Sequence, residues 1–198
     1  MAHKLKITLQ YTEPKIYRTV VVPEHFSFHE LHYVIQCVMP WNNSHLYQFN
    51  TGRAYASDII SLINTDDEMF FGGFSDPQHD QYDANKTFLA DFFNGKSKKM
   101  SYIYDLGDDW THHIIVLKKP SEEVLISKCI KGENPAPIDD CGGIPGFYEI
   151  VEISKLKRKN EEEQEIMEWY GIPKNKTYEE VYKFDIDQTN LLLAEFFR

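Results

Sequence analysis

The chain has 198 residues, 42% hydrophobic and 14% aromatic, with 31 acidic side chains against 21 basic ones and a formal net charge of -10. This size and composition belong to a globular chain able to bury a substantial core, and they exclude a low-complexity or disordered one. A field of that sign repels phosphate backbones, so direct nucleic-acid binding is disfavoured and a protein or small-molecule partner is favoured. No apolar run approaches the roughly 20 residues needed to span a bilayer, and MAHKLKITLQ alternates rather than forming a signal-peptide core. Three cysteines, Cys37, Cys129 and Cys141, with no CxxC pair, are the usage of a reduced compartment. The expectation is a cytoplasmic protein with no membrane partner.

In chain order, Leu5, Ile7 and Leu9 alternate with Lys4, Lys6, Thr8 and Gln10, the period-two pattern of a half-buried strand. A turn leads into a second β-branched run, Ile16 to Val22, which Pro23 stops, so the chain opens on a hairpin. Ser27 and Glu30 make a capping-box pattern with Phe26 and Leu31 at staple positions. Phe28, Leu31, Val34, Ile35 and Val38 then recur at helical spacing until Pro40. His29 and His32 fall on or near the polar side of this helix and read as surface residues, and Cys37 reads as semi-buried. After a turn at Trp41 to Ser44 comes a short strand, His45 to Asn50, with His45, Tyr47 and Phe49 on one face. This ββαβ opening is β-grasp-like, an analogy of topology that carries no function.

From Thr51 to Lys86 the chain reads as a long irregular excursion, with Gly72, Gly73, Pro77 and the acids Asp66, Asp67, Asp76, Asp80 and Asp83. Thr87 reads as the cap of a short helix ending before Gly95. Met100 to Asp105 and Trp110 to Lys118 form a central hairpin around the turn Leu106-Gly-Asp-Asp109. In its second strand Trp110, His112, Ile114 and Val116 share one face, and His113 points to the other. A further strand is expected within Val124 to Lys131, after Pro120. Pro135 to Gly143 is irregular, and a helix starts near Pro145 with Phe147, Ile150, Val151 and Ser154 inward. A second helix, Glu162 to Tyr170, is expected to bury Ile166, Met167 and Trp169 or Tyr170. The alternating charges from Lys155 to Glu163 read as one solvated helical face. Thr177 and Glu180 repeat the capping-box pattern, and Asn190 to Phe197 closes the chain as a docked helix. The fold class is α+β: one domain over residues 1–198, a mostly antiparallel sheet, and a helical part from about residue 144.

Several segments together resemble the plasmid pRiA4b Orf-three-like family. They are Ile16-Tyr-Arg18, Met39-Pro-Trp41, Ser44-His-Leu-Tyr-Gln-Phe49, Tyr102-Ile-Tyr-Asp-Leu-Gly-Asp-Asp-Trp-Thr-His112 and Pro137-Ile-Asp-Asp-Cys-Gly-Gly143. The resemblance runs from about Leu5 to the last helix, with Leu106 where the family usually has phenylalanine. It implies an association with mobile elements, because some members are described as insertion-sequence passenger proteins, but it implies no reaction. No serine- or tyrosine-recombinase constellation is present.

The densest polar chemistry lies on the central hairpin and two segments that could reach it. One reading is a polar site of His45, Asp105, Asp108, Trp110, His112 and Asp140, with Asp139 beside it. In that reading Asp105, Asp108 and His112 are candidate ligands of a divalent metal, and a metal-bound water would serve a hydrolase-type reaction. The other reading makes Asp108 and Asp109 turn residues and Trp110 and His112 packed rings. A zinc set of Cys129, Cys141, His112 and His113 lacks the close pairing of structural zinc sites. Cys141 beside Gly142 and Gly143 is a weak nucleophile, because Asp140 would raise its pKa. The reading that asks for the fewest coincidences is a binding or accessory protein, built on exposed aromatics at Trp41, Tyr47, Tyr55 and Trp110, with the metal-dependent enzyme as the alternative.

Overall fold

The computed structural model describes residues 1–54, 57–63, 79–94, 98–117 and 124–198. Tyr55, Asp66, Asp67, Gly72, Gly73, Asp76, Pro77, Gly95, Lys118 and Pro120 lie outside them. The strands are β1 (Ala2–Leu9), β2 (Tyr17–Pro23), β3 (Tyr47–Asn50), β4 (Ile59–Ser61), β5 (Gln81–Asp83), β6 (Lys99–Tyr104), β7 (Trp110–Val116) and β8 (Lys128–Glu133). They form one sheet in the order β5-β4-β3-β6-β7-β1-β2-β8, antiparallel except at β4/β5. The helices are α1 (Phe28–Val38), α2 (Leu89–Phe93), α3 (Gly143–Lys155), α4 (Glu161–Trp169), α5 (Tyr178–Val181) and α6 (Ile186–Phe196). The architecture is thus a single α+β domain, and the central hairpin β6–β7 occupies the middle of its sheet. The ββαβ opening is present in chain order, with β6 and β7 inserted between β1 and β3.

The strand register explains where the core sits. Leu9 of β1 pairs with His112 of β7, which pairs with Tyr102 of β6, which pairs with Phe49 of β3. Paired residues share a face, so Leu5, Ile7, Leu9, Val20, Ile114, Met100, Tyr102 and Phe49 form one continuous apolar surface under α1. Burial of such side chains is worth about 1.5–3 kcal/mol each, the largest contribution to holding helix against sheet. Three polar residues, His3, Arg18 and His112, fall on this face by the same alternation and are buried with it. β2 is buried along its whole length and lies between β1 and β8 in the sheet.

Local signals set the helix boundaries. The Ser27 hydroxyl accepts from the Glu30 amide (3.2 Å), and Glu30 accepts from the Ser27 amide (2.7 Å), starting α1 with both halves of the capping box. Thr177 and Glu180 do the same for α5. Thr87 does not cap α2: its hydroxyl donates to Asp83 O, and the cap position is Phe88. The charged run from Lys155 to Glu163 spans two helices rather than one face. Lys159 donates to the carbonyls of Ser154 and Leu156, closing α3, and Asn160 caps α4. In α4 only Met167 is buried, and Trp169 is 84% exposed. The last helix begins before Asn190, because Asp185 accepts from the amides of Asp187 and Gln188.

Of the four aromatics expected on a binding surface, the three among the described residues are not exposed. Tyr47 and Trp110 are buried because the sheet face they share is the one that α1 covers, and Trp41, in the loop after α1, is buried against that face. Trp41 stacks on Tyr104 at 4.9 Å and packs near Trp110 at 5.9 Å. His32 is likewise buried rather than exposed, turned onto Tyr47 at 3.7 Å. Among the described residues no helix is long and apolar enough to cross a membrane.

Candidate functional site at the tip of the central hairpin

Three segments meet at the turn of the hairpin: the turn itself, the loop that enters β3, and the Pro137 to Gly143 loop. Asp105 ends β6 with φ 52, outside the strand region, so the chain leaves the sheet at once. Its Oδ1 accepts from the Gly107 amide at 2.9 Å, a side-chain-made turn. Its amide donates to Leu46 O, which ties the turn to the segment carrying His45. With Oδ1 occupied, Oδ2 faces His45 Nε2 at 3.7 Å.

The third segment is locked from both sides. Asp108 Oδ2 accepts from the Gly142 amide at 3.1 Å. Gly143 is required there, since φ is +67 and a Cβ would lie 2.8 Å from Asp108 O. Asp139 Oδ2 accepts from the Asn42 amide (3.0 Å), the Tyr104 hydroxyl (3.2 Å) and the Ser44 hydroxyl (3.4 Å). Trp41 Nε1 donates to Pro137 O. These bonds bring Asp140, itself at φ 58, against His45, with Oδ1 2.9 Å from Nε2. Four non-glycine residues around this junction, Asn43, Asp105, Asp109 and Asp140, hold positive φ, a concentration of strain typical of functional loops.

His45, Asp105 and Asp140 therefore converge, each offering one ligand atom within 4.8 Å of the others. Their side chains grade from 13% exposed at Asp105 through 28% at His45 to 70% at Asp140, so the triangle opens to solvent on one side. Two carboxylates and an imidazole suit Mn, Fe or Zn. Tetrahedral bonds of about 2.1 Å place neighbouring ligands about 3.4 Å apart, between the observed 3.7 Å and the 2.9 Å of the His45–Asp140 hydrogen bond.

The other sequence candidates lie elsewhere. Asp108 is next to the triangle but bonds the backbone of the Gly142 loop. Trp110 and His112 are at 0% exposure in the core, His112 against Trp41 at 5.4 Å and Tyr102 at 5.5 Å. Of the candidate metal ligands Asp105, Asp108 and His112, only Asp105 is in the converging group; His45 and Asp140 supply the rest. The set Cys129, Cys141, His112 and His113 is not a ligand group among the described residues. Burial, reinforced by Asp108 rather than Asp140, pushes the Cys141 thiol up to about 12, which disables it as a nucleophile.

Sequence reasoning missed Tyr104 and Ser44, which anchor Asp139. The alternation that groups Tyr102 with Tyr104 was the available signal for the first. It also missed a buried chain in which His32 Nε2 donates to Asn43 Oδ1 (2.6 Å) while the Tyr102 hydroxyl donates to Nδ1 (2.8 Å), the tautomer following from the amide oxygen as acceptor.

Gly146 supports the loop from behind. A Cβ there would sit 1.8 Å from Cys141 O, a backbone atom that cannot swing aside. Gly146→Ala is expected to destabilise by about 2 kcal/mol in urea unfolding, because the Cys141 turn beside Asp140 must shift. A variant as stable as wild type would show that the loop has room to relax.

Fold and site together define a single-domain α+β protein with a polar, cation-compatible cluster at the tip of its central hairpin. Residues 1–191 match the family described as plasmid pRiA4b ORF-3-like protein, and the chain belongs to it. Its relatives include the uncharacterized protein y4hQ of Sinorhizobium fredii, 30% identical over 170 residues, 85% of this chain and 80% of that one. Among solved structures it is similar to MM3350, a protein of unknown function from Methanosarcina mazei Go1. That similarity has a TM-score of 0.73 and 28% identity, and covers 94% of this chain and 95% of that chain.

Proposed function

We propose that this protein binds a divalent transition-metal cation on His45 Nε2, Asp105 Oδ2 and Asp140 Oδ1, and uses it on a small-molecule or protein partner reaching the hairpin tip. The observation that carries the reading is the convergence of these three ligand atoms within 4.8 Å from three separate segments. Three protein ligands leave coordination positions open, the arrangement of catalytic rather than structural metal sites, so a bound ion can polarise a water for hydrolysis. Asp105 and Asp140 supply the negative charge that compensates the ion. Asp108 and Asp139 act as positioning residues through the hydrogen bonds described above. The net charge of -10 argues for a partner other than nucleic acid.

Isothermal titration of chelator-stripped protein with Mn²⁺ and Zn²⁺ tests this. Wild type is expected to bind one ion, His45→Ala and Asp140→Asn to lose about a hundredfold in affinity, and Asp108→Asn about tenfold. Equal binding by wild type and His45→Ala, or none by either, would sink the proposal.

A further inference from the structure

Arg18 is an interior cation, only 1% exposed. Its Nε donates to Val38 O, and its Nη1 to Tyr17 O and Glu133 O, each at 2.9 Å. The Phe184 ring lies over the guanidinium at 3.9 Å. Gly132 permits that stack, because a Cβ there would fall 2.6 Å from the ring and 2.8 Å from Arg18 Cδ. All these partners are neutral dipoles or a ring face. No carboxylate of the described residues pairs with the guanidinium, and Nη2 has no acceptor among them. Burial holds the pKa of Arg18 down at about 10, the mark of a cation short of compensation.

This side chain forms part of the wall of a pocket of about 210 Å³ between the end of α1, the Ala136 to Ile138 segment and the start of α6. The remaining wall is largely apolar, with Cys37, Ala136, Ile138 and Leu192, and Lys183 adds a second cation. Asp185 also lines the pocket; its Oδ1 accepts from the amides of Asp187 and Gln188 at 2.9 and 3.0 Å, which ties the carboxylate to the first turn of α6. A desolvated guanidinium in the wall of a largely apolar pocket, with one nitrogen making no hydrogen bond to the described residues, is an arrangement that attracts a carboxylate. A cavity of about 150 Å³ accommodates a benzene ring, so the space here fits one ring or short branched chain carrying an acid.

We propose that the pocket binds a small apolar monocarboxylic acid as its anion. The carboxylate lies on Arg18 Nη2, with Lys183 on the same wall, and the apolar body packs against Cys37, Ala136 and Leu192. The site is independent of the His45–Asp105–Asp140 triangle, which takes a ligand of opposite charge, so either can fail without the other.

Benzoate titrated into isotope-labelled full-length protein, with benzamide as the neutral analogue, tests the assignment by amide chemical shifts. Benzoate is expected to move the resonances of Cys37, Ala136, Gln188 and Leu192, and benzamide to bind about tenfold more weakly because it lacks the charge. Replacing Arg18 would strand three backbone carbonyls and endanger the fold. The blocking variant is therefore Leu192→Trp, at a side chain 37% exposed, which fills the pocket and should abolish the shifts while leaving Tm unchanged. Equal responses to benzoate and benzamide, shifts that map elsewhere, none at millimolar benzoate, or unaltered binding by Leu192→Trp would each overturn it.

Discussion

As the pH falls from 6.5 towards about 4, the protein is expected to lose on the order of 3 kcal/mol of stability for each of two buried imidazoles, His32 and His112. Burial disfavours the charged ring in both. For His32 the Asn43 bond opposes that effect and neighbouring His29 adds to it. For His112 the nearby backbone of Trp110 and Tyr102 opposes it, while Arg18 and His113 reinforce it. Neither ring nitrogen of His112 has a well-formed hydrogen bond. In the unfolded chain each ring takes its proton near 6.5, whereas in the folded chain it does so only near 4. Between these values unfolding takes up protons, so the stability fully present above 6.5 declines until the native rings also protonate. Urea midpoints followed by far-UV circular dichroism across this window measure the loss. His112→Phe keeps an aromatic ring, removes the titrating group, and should flatten the profile by about half. An identical slope in wild type and variant would assign the acid sensitivity to other groups, such as the exposed carboxylates of Glu133 and Glu180, both held below the usual range.

Trp110→Ala is expected to cost about 3–5 kcal/mol, a large part of the 5–15 kcal/mol that a domain of this kind possesses. Trp110 begins β7 at 0% exposure beneath Trp41, and truncation leaves a void that the paired strands β6 and β7 cannot close. Its Nε1 is buried without a hydrogen-bond partner. Trp110→Phe should therefore cost far less, because the smaller ring also removes an unsatisfied donor. Denaturant unfolding compares the two substitutions, and cation titration of Trp110→Phe should match wild type. A Phe variant that folds normally but loses the cation would return Trp110 to the site.

Much of the hairpin at the centre of the molecule was legible locally. Strict alternation separated His112 from His113, and the structure buries one and exposes the other. Asp105 was legible as the end of a strand, and Gly142 and Gly143 as glycines of an irregular segment, since these depend on residues a few places apart; that both hold positive φ came from the structure. The partnership of His45, Asp105 and Asp140 was not, because its bonds span as many as 95 positions. Trp41, Tyr47 and His32 were placed on the wrong side of the surface for a related reason. Amphipathic periodicity says that residues share a face, but not which face another element will cover.

The sequence by itself determined the local elements: alternating strands, two capping boxes, a hairpin turned by Leu106 to Asp109, and an acidic, globular composition. Each rests on hydrogen bonds and side-chain periodicity within a few residues, where chain entropy is cheap and the options are few. Only the tertiary structure decided that β6 and β7 stand at the centre of the sheet, that α1 covers the aromatic face, and that Arg18 lies against Phe184 in a pocket wall. It alone brought His45, Asp105 and Asp140 to one point, because contacts between distant segments form only where the packing of the whole domain offsets the cost of ordering them.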